Sequence, residues 1–149
     1  MHFYFYLCLA LLPLSLTAQS TSISIHAHND YENTLPFYNA FSAGAQTIEI
    51  DVFAFSEKDT VFVAHDLEEI TSSRTLKNLY LAPLNHIIEQ KAIHSGLNIP
   101  DMMIDLKTPF KTTIDKLISE INHYSAIRLA LQNNQFKIII SGSMPSPTE

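Results

Sequence analysis

Three acidic residues and a lysine stand at the ends of apolar runs, where their side chains could share one site. Glu49 and Asp51 are two residues apart in TIEIDVF, and Asp105 and Lys107 are two apart in MMIDLK. Residues i and i+2 of a strand point to the same face, roughly 7 Å apart. Carboxylates at that spacing repel each other unless a cation or water separates them, which predicts oxygen ligation of Mg²⁺ or Ca²⁺. The simpler interpretations are a solvated strand face and an Asp105–Lys107 ion pair.

Two histidines stand directly after predicted strands. His28 lies in HAHND and His65 in VFVAHD, and each has an aspartate close by, Asp30 and Asp66. Because imidazoles titrate near neutral pH, a facing pair can act as general base and general acid at a metal-bound phosphoryl group. A single histidine is more often structural, and His26 competes with His28 for the first position.

The strands that must position these residues are predicted from hydrophobic periodicity. Five short segments are rich in β-branched and apolar residues, and polar residues begin where they stop. The predicted strands are Ser22–Ile25, Thr47–Phe53, Val61–Ala64, Met102–Leu106 and Phe136–Ile140. The last is continuously apolar, which predicts a strand buried on both faces. Side chains at the C-terminal ends of parallel strands project into a common mouth, where α/β proteins hold their sites.

Helical spacing of apolar residues fills most gaps between these strands. Helices are predicted from Pro36 to Gly44, over Pro83–Ala92, from Pro109 through Ile121, and over Ala126–Leu131. Residues 67–80 are mixed in character and are predicted to form a loop. The order β-α-β-β-α-β-α-β indicates an α/β protein with a mostly parallel sheet.

The composition is that of a globular chain and excludes one class of partner. The chain has 149 residues, of which 46% are hydrophobic and 16% charged, which suits about one domain. Its formal net charge is -6. Proteins that bind the phosphate backbone of nucleic acids carry a clustered excess of Lys and Arg. No nucleic-acid partner is therefore expected.

The first 18 residues, MHFYFYLCLALLPLSLTA, form an apolar run without Lys, Arg, Asp or Glu that ends in small side chains. The pattern is typical of a secretory signal peptide cleaved after Ala18, and it predicts a secreted or periplasmic protein. A membrane anchor is the alternative, but the run is short for a bilayer span and is broken by Pro13. The single cysteine, Cys8, lies within this segment, so the mature chain would have no disulfide.

Five fragments in the same order resemble the superfamily of phospholipase-C-like phosphodiesterases, in particular the glycerophosphodiester phosphodiesterases. They are AHND at 27–30, ENTLPFYNAF at 32–41, AGAQTIEIDV at 43–52, VFVAHD at 61–66 and IDLKT at 104–108. SRTLKNL at 73–79 is similar to the loop that follows the family's His-Asp pair. The resemblance runs over residues 23–142. Within the superfamily, the HxHNDY pattern at 26–31 is more like a branch related to the altered-inheritance-of-mitochondria proteins.

The resemblance implies a (β/α)₈ TIM barrel and a metal-dependent phosphoric diester hydrolase of glycerophosphodiesters or related phospholipid headgroups. The implied site residues are the metal ligands Glu49, Asp51 and Asp105 for Mg²⁺ or Ca²⁺, the catalytic residues His28, His65 and Lys107, and the substrate contacts His26, Asn29 and Lys107. The implied partner is a phosphodiester or phospholipid-derived small molecule, with peripheral membrane contact left open. Asn29 replaces the family's arginine and Asp105 its glutamate, which leaves the substrate open.

The chain is shorter than that family's barrel. A (β/α)₈ barrel needs roughly 250 residues and eight strands, whereas only about five strands are predicted here, so residues 19–149 would be its N-terminal part. An open half-barrel exposes an unpaired edge, which predicts poor solubility and weak or absent activity. The alternative function is an inactive remnant that binds a cation or a phospholipid headgroup. A metal-free phospholipase C is disfavoured, because no arginine lies at the early strand ends.

Overall fold

The computed structural model describes residues 23–91 and 98–146. Its strands are β1 (His26–Ala27), β2 (Thr47–Ala54), β3 (Val61–Val63), β4 (Asp101–Leu106) and β5 (Ile138–Gly142). Its α-helices are α1 (Tyr38–Ser42), α2 (Ala82–Lys91), α3 (Phe110–Asn122) and α4 (Ser125–Gln132). Short 3₁₀ segments cover Asp30–Glu32 and Leu67–Glu69, and a π-helical turn over Lys77–Leu81 leads into α2.

Four strands form a parallel sheet in the order β1-β2-β4-β5. The fifth, β3, runs back along β2 as its antiparallel neighbour, with Val63 opposite Val52. The pairing of β2 with β4 sets Asp51 beside Asp105, and the pairing of β4 with β5 sets Asp105 beside Ser141. The prediction of an α/β protein with a mostly parallel sheet is confirmed. This sheet is compatible with part of a barrel.

The two faces of the sheet differ in chemistry. One face is apolar and fully buried, and it consists of Ile48, Ile50 and Val52 of β2 with Met102, Ile104 and Leu106 of β4. Leu84, Leu117 and Ile127, one from each of α2, α3 and α4, belong to the same hydrophobic core. Burying each of these side chains stabilises the fold by roughly 1.5–3 kcal/mol. Because side chains alternate along a strand, the opposite face of β2 receives Glu49 and Asp51.

The first strand lies further along the chain than predicted. Ser22 lies outside the described residues, and the strand is His26–Ala27 rather than residues 22–25. The reason is the register of β2, which begins at Thr47 and pairs that residue with His26. His26 is therefore a strand residue and not part of the turn that follows.

The loop predicted over residues 67–80 instead contains helical turns. Leu76, Tyr80 and Leu84 are each fully buried at intervals of four residues. The apolar stripe of α2 therefore starts before Pro83, and the chain is already π-helical from Lys77. Lys77 and Asn78, which lie between Leu76 and Tyr80, interrupt the apolar pattern in the sequence.

The fifth strand is not buried on both faces as predicted. It begins at Ile138, its residues are half-buried or exposed, and Ile139 is 40% exposed. Within the described residues no strand pairs with its outer edge. An apolar sequence alone therefore did not distinguish a central strand from one at the edge.

Residues 1–18, with the predicted signal peptide and Cys8, lie outside the described residues, and the signal peptide stays a prediction. Among the residues that the structure describes, no helix is long and apolar enough to cross a bilayer.

Candidate active site

One buried carboxylate, that of Asp51, is the centre of the polar face. Its side chain is 2% exposed. Its Oδ2 atom accepts a hydrogen bond from the Tyr31 hydroxyl at 2.7 Å and lies 3.0 Å from Lys107 Nζ and 3.1 Å from His65 Nδ1. A carboxylate buried this deeply is stable only when donors and positive charge compensate for lost hydration. Tyr31, His65 and Lys107, from three separate parts of the chain, provide that compensation.

Lys107 bridges the two aspartates of neighbouring strands. Its Nζ lies 2.7 Å from Asp105 Oδ2 in addition to its contact with Asp51, and Ser141 donates to Asp105 Oδ1 at 2.8 Å. Burial would raise the pKa of Asp105, but the hydrogen bonds from Lys107 and Ser141 outweigh it and hold that pKa below the usual value. Burial would likewise lower the pKa of Lys107, but its bonds to both aspartates raise it. Both groups therefore remain charged near neutral pH.

His65 reaches Asp51 because β3 is antiparallel to β2. The hairpin returns the chain along β2, and His65 follows two residues after Val63, which lies opposite Val52. The Glu69 carboxylate accepts the backbone N–H of His65 at 3.2 Å and fixes the turn that follows β3. The imidazole side chain is 53% exposed. A ring that donates from Nδ1 to Asp51 keeps Nε2 as its basic nitrogen.

The other two histidines of the early stretch are placed differently. His26 Nε2 lies 2.7 Å from Glu49 Oε2, and both side chains stand on the polar face of the sheet. His28 is exposed and makes no hydrogen bond or ion pair within the described residues. Asn29 has a φ of 47°, a left-handed conformation that asparagine tolerates, and it turns the chain away from β1. The structure thus pairs His26 with Glu49 and leaves His28 exposed to solvent.

The loop between β1 and α1 is fixed by a second buried carboxylate, Asp30. It accepts the backbone N–H of Phe37 and the hydroxyl of Tyr80, the latter at 3.1 Å. Arg74 donates to the backbone carbonyl of Tyr31 at 3.0 Å and lies over its ring, with 5.8 Å to the centroid. Asp30 is close to His28 in sequence, but its side chain bonds to Phe37 and Tyr80 instead. It anchors the loop that delivers Tyr31 to Asp51.

Sequence reasoning missed Tyr31 and Ser141 as members of the cluster. Burial and the hydrogen bond to Asp51 raise the pKa of Tyr31, so its hydroxyl remains a donor. Ser141 stands at the end of an apolar run, as Asp105 does, and that signal could have identified it. The HxHNDY pattern ends in Tyr31, but no local feature of the sequence indicates the contact with Asp51, which lies 20 residues away.

Comparison with known proteins identifies the family. Residues 14–104 match the family described as "AIM6-like phosphodiesterase domain", which is more than half of the chain. The chain belongs to this family. The matched region contains His28, Glu49, Asp51 and His65 of this AIM6-like domain, whereas Lys107 lies beyond it.

Three curated relatives are similar to this AIM6-like chain. The altered inheritance of mitochondria protein 6 homolog from Arthroderma benhamiae is 42% identical over 71 residues, which cover 44% of this chain and 22% of that protein. Altered inheritance of mitochondria protein 6 from Eremothecium gossypii is 22% identical over 147 residues, which cover 83% of this chain and 38% of that protein. The Kluyveromyces lactis protein of that name is 35% identical over 67 residues, which cover 42% of this chain and 16% of that protein. The chain thus spans less than half the length of these relatives, and no solved structure matches it.

The three acidic residues that were predicted to bind a metal ion lie on one face of two adjacent strands of the AIM6-like domain. Their oxygen donors fit the chemistry of a hard cation such as Mg²⁺ or Ca²⁺. As arranged here, however, Glu49 contacts His26, and Lys107 Nζ lies between Asp51 and Asp105. Among the described residues, no three acidic, histidine or cysteine side chains are grouped closely enough to hold a metal ion. The oxygen donors therefore suit a divalent ion in their chemistry. In the arrangement described here, the ammonium of Lys107 supplies the positive charge between Asp51 and Asp105.

Proposed function

We propose that this AIM6-like domain carries catalytic residues of a metal-dependent phosphoric diester hydrolase of the glycerophosphodiester phosphodiesterase type. The proposed substrates are glycerophosphodiesters or related phospholipid headgroups. The observation that carries the proposal is the convergence on Asp51 of an ammonium, an imidazole and a tyrosine hydroxyl at 2.7–3.1 Å. The family match supports phosphodiester chemistry.

The proposed roles are those that the resemblance implies for these side chains. Lys107, whose side chain is 28% exposed, is the ammonium that would contact a substrate phosphate oxygen. His65 would use Nε2 to remove a proton from the attacking water or substrate hydroxyl as the new P–O bond forms. His28 would protonate the leaving alkoxide as the old P–O bond breaks, with His26 as the alternative. His26 and Asn29 would otherwise contact the substrate.

The proposed metal ligands are Glu49, Asp51 and Asp105. A Mg²⁺ or Ca²⁺ ion held by them would supply positive charge next to the phosphoryl oxygens. For these ligands to become available, Glu49 must leave His26, and Lys107 must move from the aspartates. A substrate phosphate is negatively charged, as the aspartates are, so it would give Lys107 a new partner in their place.

The proposed location and partners complete this hypothesis. If residues 1–18 act as an export signal, the reaction takes place in the periplasm or outside the cell. The proposed partner is a small phosphodiester or phospholipid-derived molecule, with peripheral contact to a membrane surface and without nucleic acid. The net charge of -6 supports the last point, because it disfavours binding to a phosphate backbone.

The test is release of the alcohol from glycerophosphodiesters by the full chain, with and without EDTA. We expect hydrolysis that EDTA abolishes and that His65→Ala reduces by about 100-fold or more, the usual contribution of a general base. Glu49→Ala should remove the metal-dependent part. Glu57→Ala is the matched control, because Glu57 is exposed in the turn between β2 and β3. Activity that survives both EDTA and Glu49→Ala would contradict the proposal.

A second candidate function is binding without turnover. The observation behind it is that Glu49, Asp51 and Asp105 lie on one face of two adjacent strands, where their oxygens suit a cation. In that case the domain would bind a cation such as Ca²⁺ or a phospholipid headgroup, and titration would show saturable binding. Saturable binding that Glu49→Ala weakens, together with no hydrolysis of any diester tested, would favour this function over catalysis.

A further inference from the structure

A cleft of about 700 Å³ opens beside Lys107, at the end of the sheet where β4 and β5 finish. Its walls come from the first turns of α3 and from the segment that follows β5. The main lining residues are Lys107, Phe110, Lys111, Ile114, Met144 and Pro145. This volume lies within the range of small-molecule sites, roughly 300–1,000 Å³.

The cleft combines two lysine side chains with apolar walls. Lys107 and Lys111 contribute two ammonium groups, and no acidic side chain lines the cleft within the described residues. Met144 is 53% exposed, while Phe110 and Ile114 pack only partly against the core. Apolar side chains left open beside two cations suit a ligand in which hydrocarbon is joined to an anionic group.

Lys107 connects this cleft with the carboxylate cluster. Its Nζ contacts Asp51 and Asp105, and the same side chain lines the cleft. A phosphodiester with its phosphate at Lys107 can therefore extend one ester arm along Phe110 and Met144. A glycerol arm would gain little from apolar walls, whereas an alkyl arm buried against them removes apolar surface from water and so gains affinity.

We infer that this cleft receives an alkyl or acyl arm of the substrate, so that lipid-like phosphodiesters bind in preference to water-soluble glycerophosphodiesters. The inference rests on the proposed function for the phosphodiester group itself. The occupant is the hydrocarbon arm of a single ligand molecule. We choose this occupant because the cleft adjoins Lys107, whose ammonium would hold the phosphate of the same molecule.

The experiment compares two phosphodiesters that differ only in that arm, dimethyl phosphate and octyl methyl phosphate. Both are titrated into the full chain below the micelle-forming concentration and followed by NMR. We expect the octyl ester to bind at least about tenfold more tightly. Met144→Ser should reduce that preference by about threefold or more, and Met144→Leu should retain it. The control is Ile118→Ser, because Ile118 is 50% exposed on α3 but does not line the cleft.

The ratio of the two affinities is measured on one protein sample, so a partly unfolded variant does not distort it. Equal binding of the two esters, or no binding of the octyl ester, would overturn the inference. Equal losses in Met144→Ser and Ile118→Ser would also overturn it, since they would indicate nonspecific adsorption. Octyl preference without hydrolysis would refute the proposed catalysis alone. Hydrolysis without octyl preference would refute the cleft assignment alone.

Discussion

Replacing Lys107 with methionine should destabilise the chain by about 2–4 kcal/mol at pH 7. The variant keeps the apolar stem but removes the ammonium that lies 3.0 Å from Asp51 and 2.7 Å from Asp105. Breaking a buried ion pair by removing one partner costs about 3–5 kcal/mol, and the 28% exposure of Lys107 reduces that cost. In a chain of this length the melting temperature should fall by about 5–15 °C. Lys137→Met, at an exposed position on β5's N-terminal side, is the matched control.

The pH dependence separates lost charge pairing from lost packing. The pKa of Asp105 is lowered in the fold, so its stabilising contribution is present above the usual value of 3.8 and is lost as pH falls through the folded value. The pKa of Lys107 is raised, so its contribution is present below 10.5 and is lost as pH rises through the folded value. The stability difference between the two proteins should therefore be largest near pH 7 and smaller at pH 3. Urea unfolding followed by circular dichroism measures it.

The same variant also tests the proposed metal ligands without an activity assay. With the ammonium removed, a divalent ion no longer competes with Lys107 for Asp51 and Asp105. Ca²⁺ at 100 times its dissociation constant should then restore about 2.7 kcal/mol. NaCl at equal ionic strength should restore less, and adding Asp105→Asn should abolish the recovery by Ca²⁺. A stability loss that is equal at pH 3 and pH 7, or that is absent, would refute the charge-pairing argument.

Three further predictions concern individual residues. Tyr31→Phe removes the 2.7 Å hydrogen bond to Asp51 and should cost about 1–3 kcal/mol, measured by thermal unfolding, and an unchanged melting temperature would contradict this. Gly142→Ala should lower the free energy of unfolding by about 2–4 kcal/mol, because Gly142 has a φ of 83° and an added Cβ would lie 2.5 Å from a backbone oxygen of β4. The control is Gly44→Ala, because Gly44 has a φ of 74° but nothing lies within 4 Å of an added Cβ. The control should therefore lose only the cost of the left-handed conformation, about 1–2 kcal/mol. Burial, together with hydrogen bonds to Asp51 and Asp30 respectively, raises the pKa of Tyr31 and of Tyr80, so in an alkaline absorbance titration of the folded chain these two tyrosines should not ionise near pH 10.

The parts of the site that could be predicted from sequence are those that depend on strand alternation. Glu49 and Asp51 were expected on one face of a strand, and they lie there because residues two apart in a strand must do so. Asp105 and Lys107 follow the same rule, and their ion pair was one of the interpretations considered. None of these inferences required knowledge of which strands are neighbours.

The parts that could not be predicted depend on register and on contacts between distant segments. Asp51 lies beside Asp105 only because β4, and not β3, follows β2 in the parallel sheet. β3 then returns antiparallel to β2 and brings His65 back to Asp51. The alternation of apolar and polar residues does not indicate the direction in which a strand pairs. Glu49 contacts His26 only because β1 includes His26 and pairs with the start of β2.

The three positive or hydrogen-bonding partners of Asp51 explain why one lysine has so large a role. A carboxylate that is 2% exposed must be compensated at all times, with or without a ligand. Tyr31 cannot provide charge, and His65 provides it only when protonated, so in the arrangement described here Lys107 is the permanent counter-charge. Any cation that binds the aspartates must replace that ammonium, and it can do so at low cost only if Lys107 gains another anionic partner. A substrate phosphate is such a partner, so the same electrostatic requirement that stabilises the fold would couple binding at the carboxylates to binding of a phosphodiester.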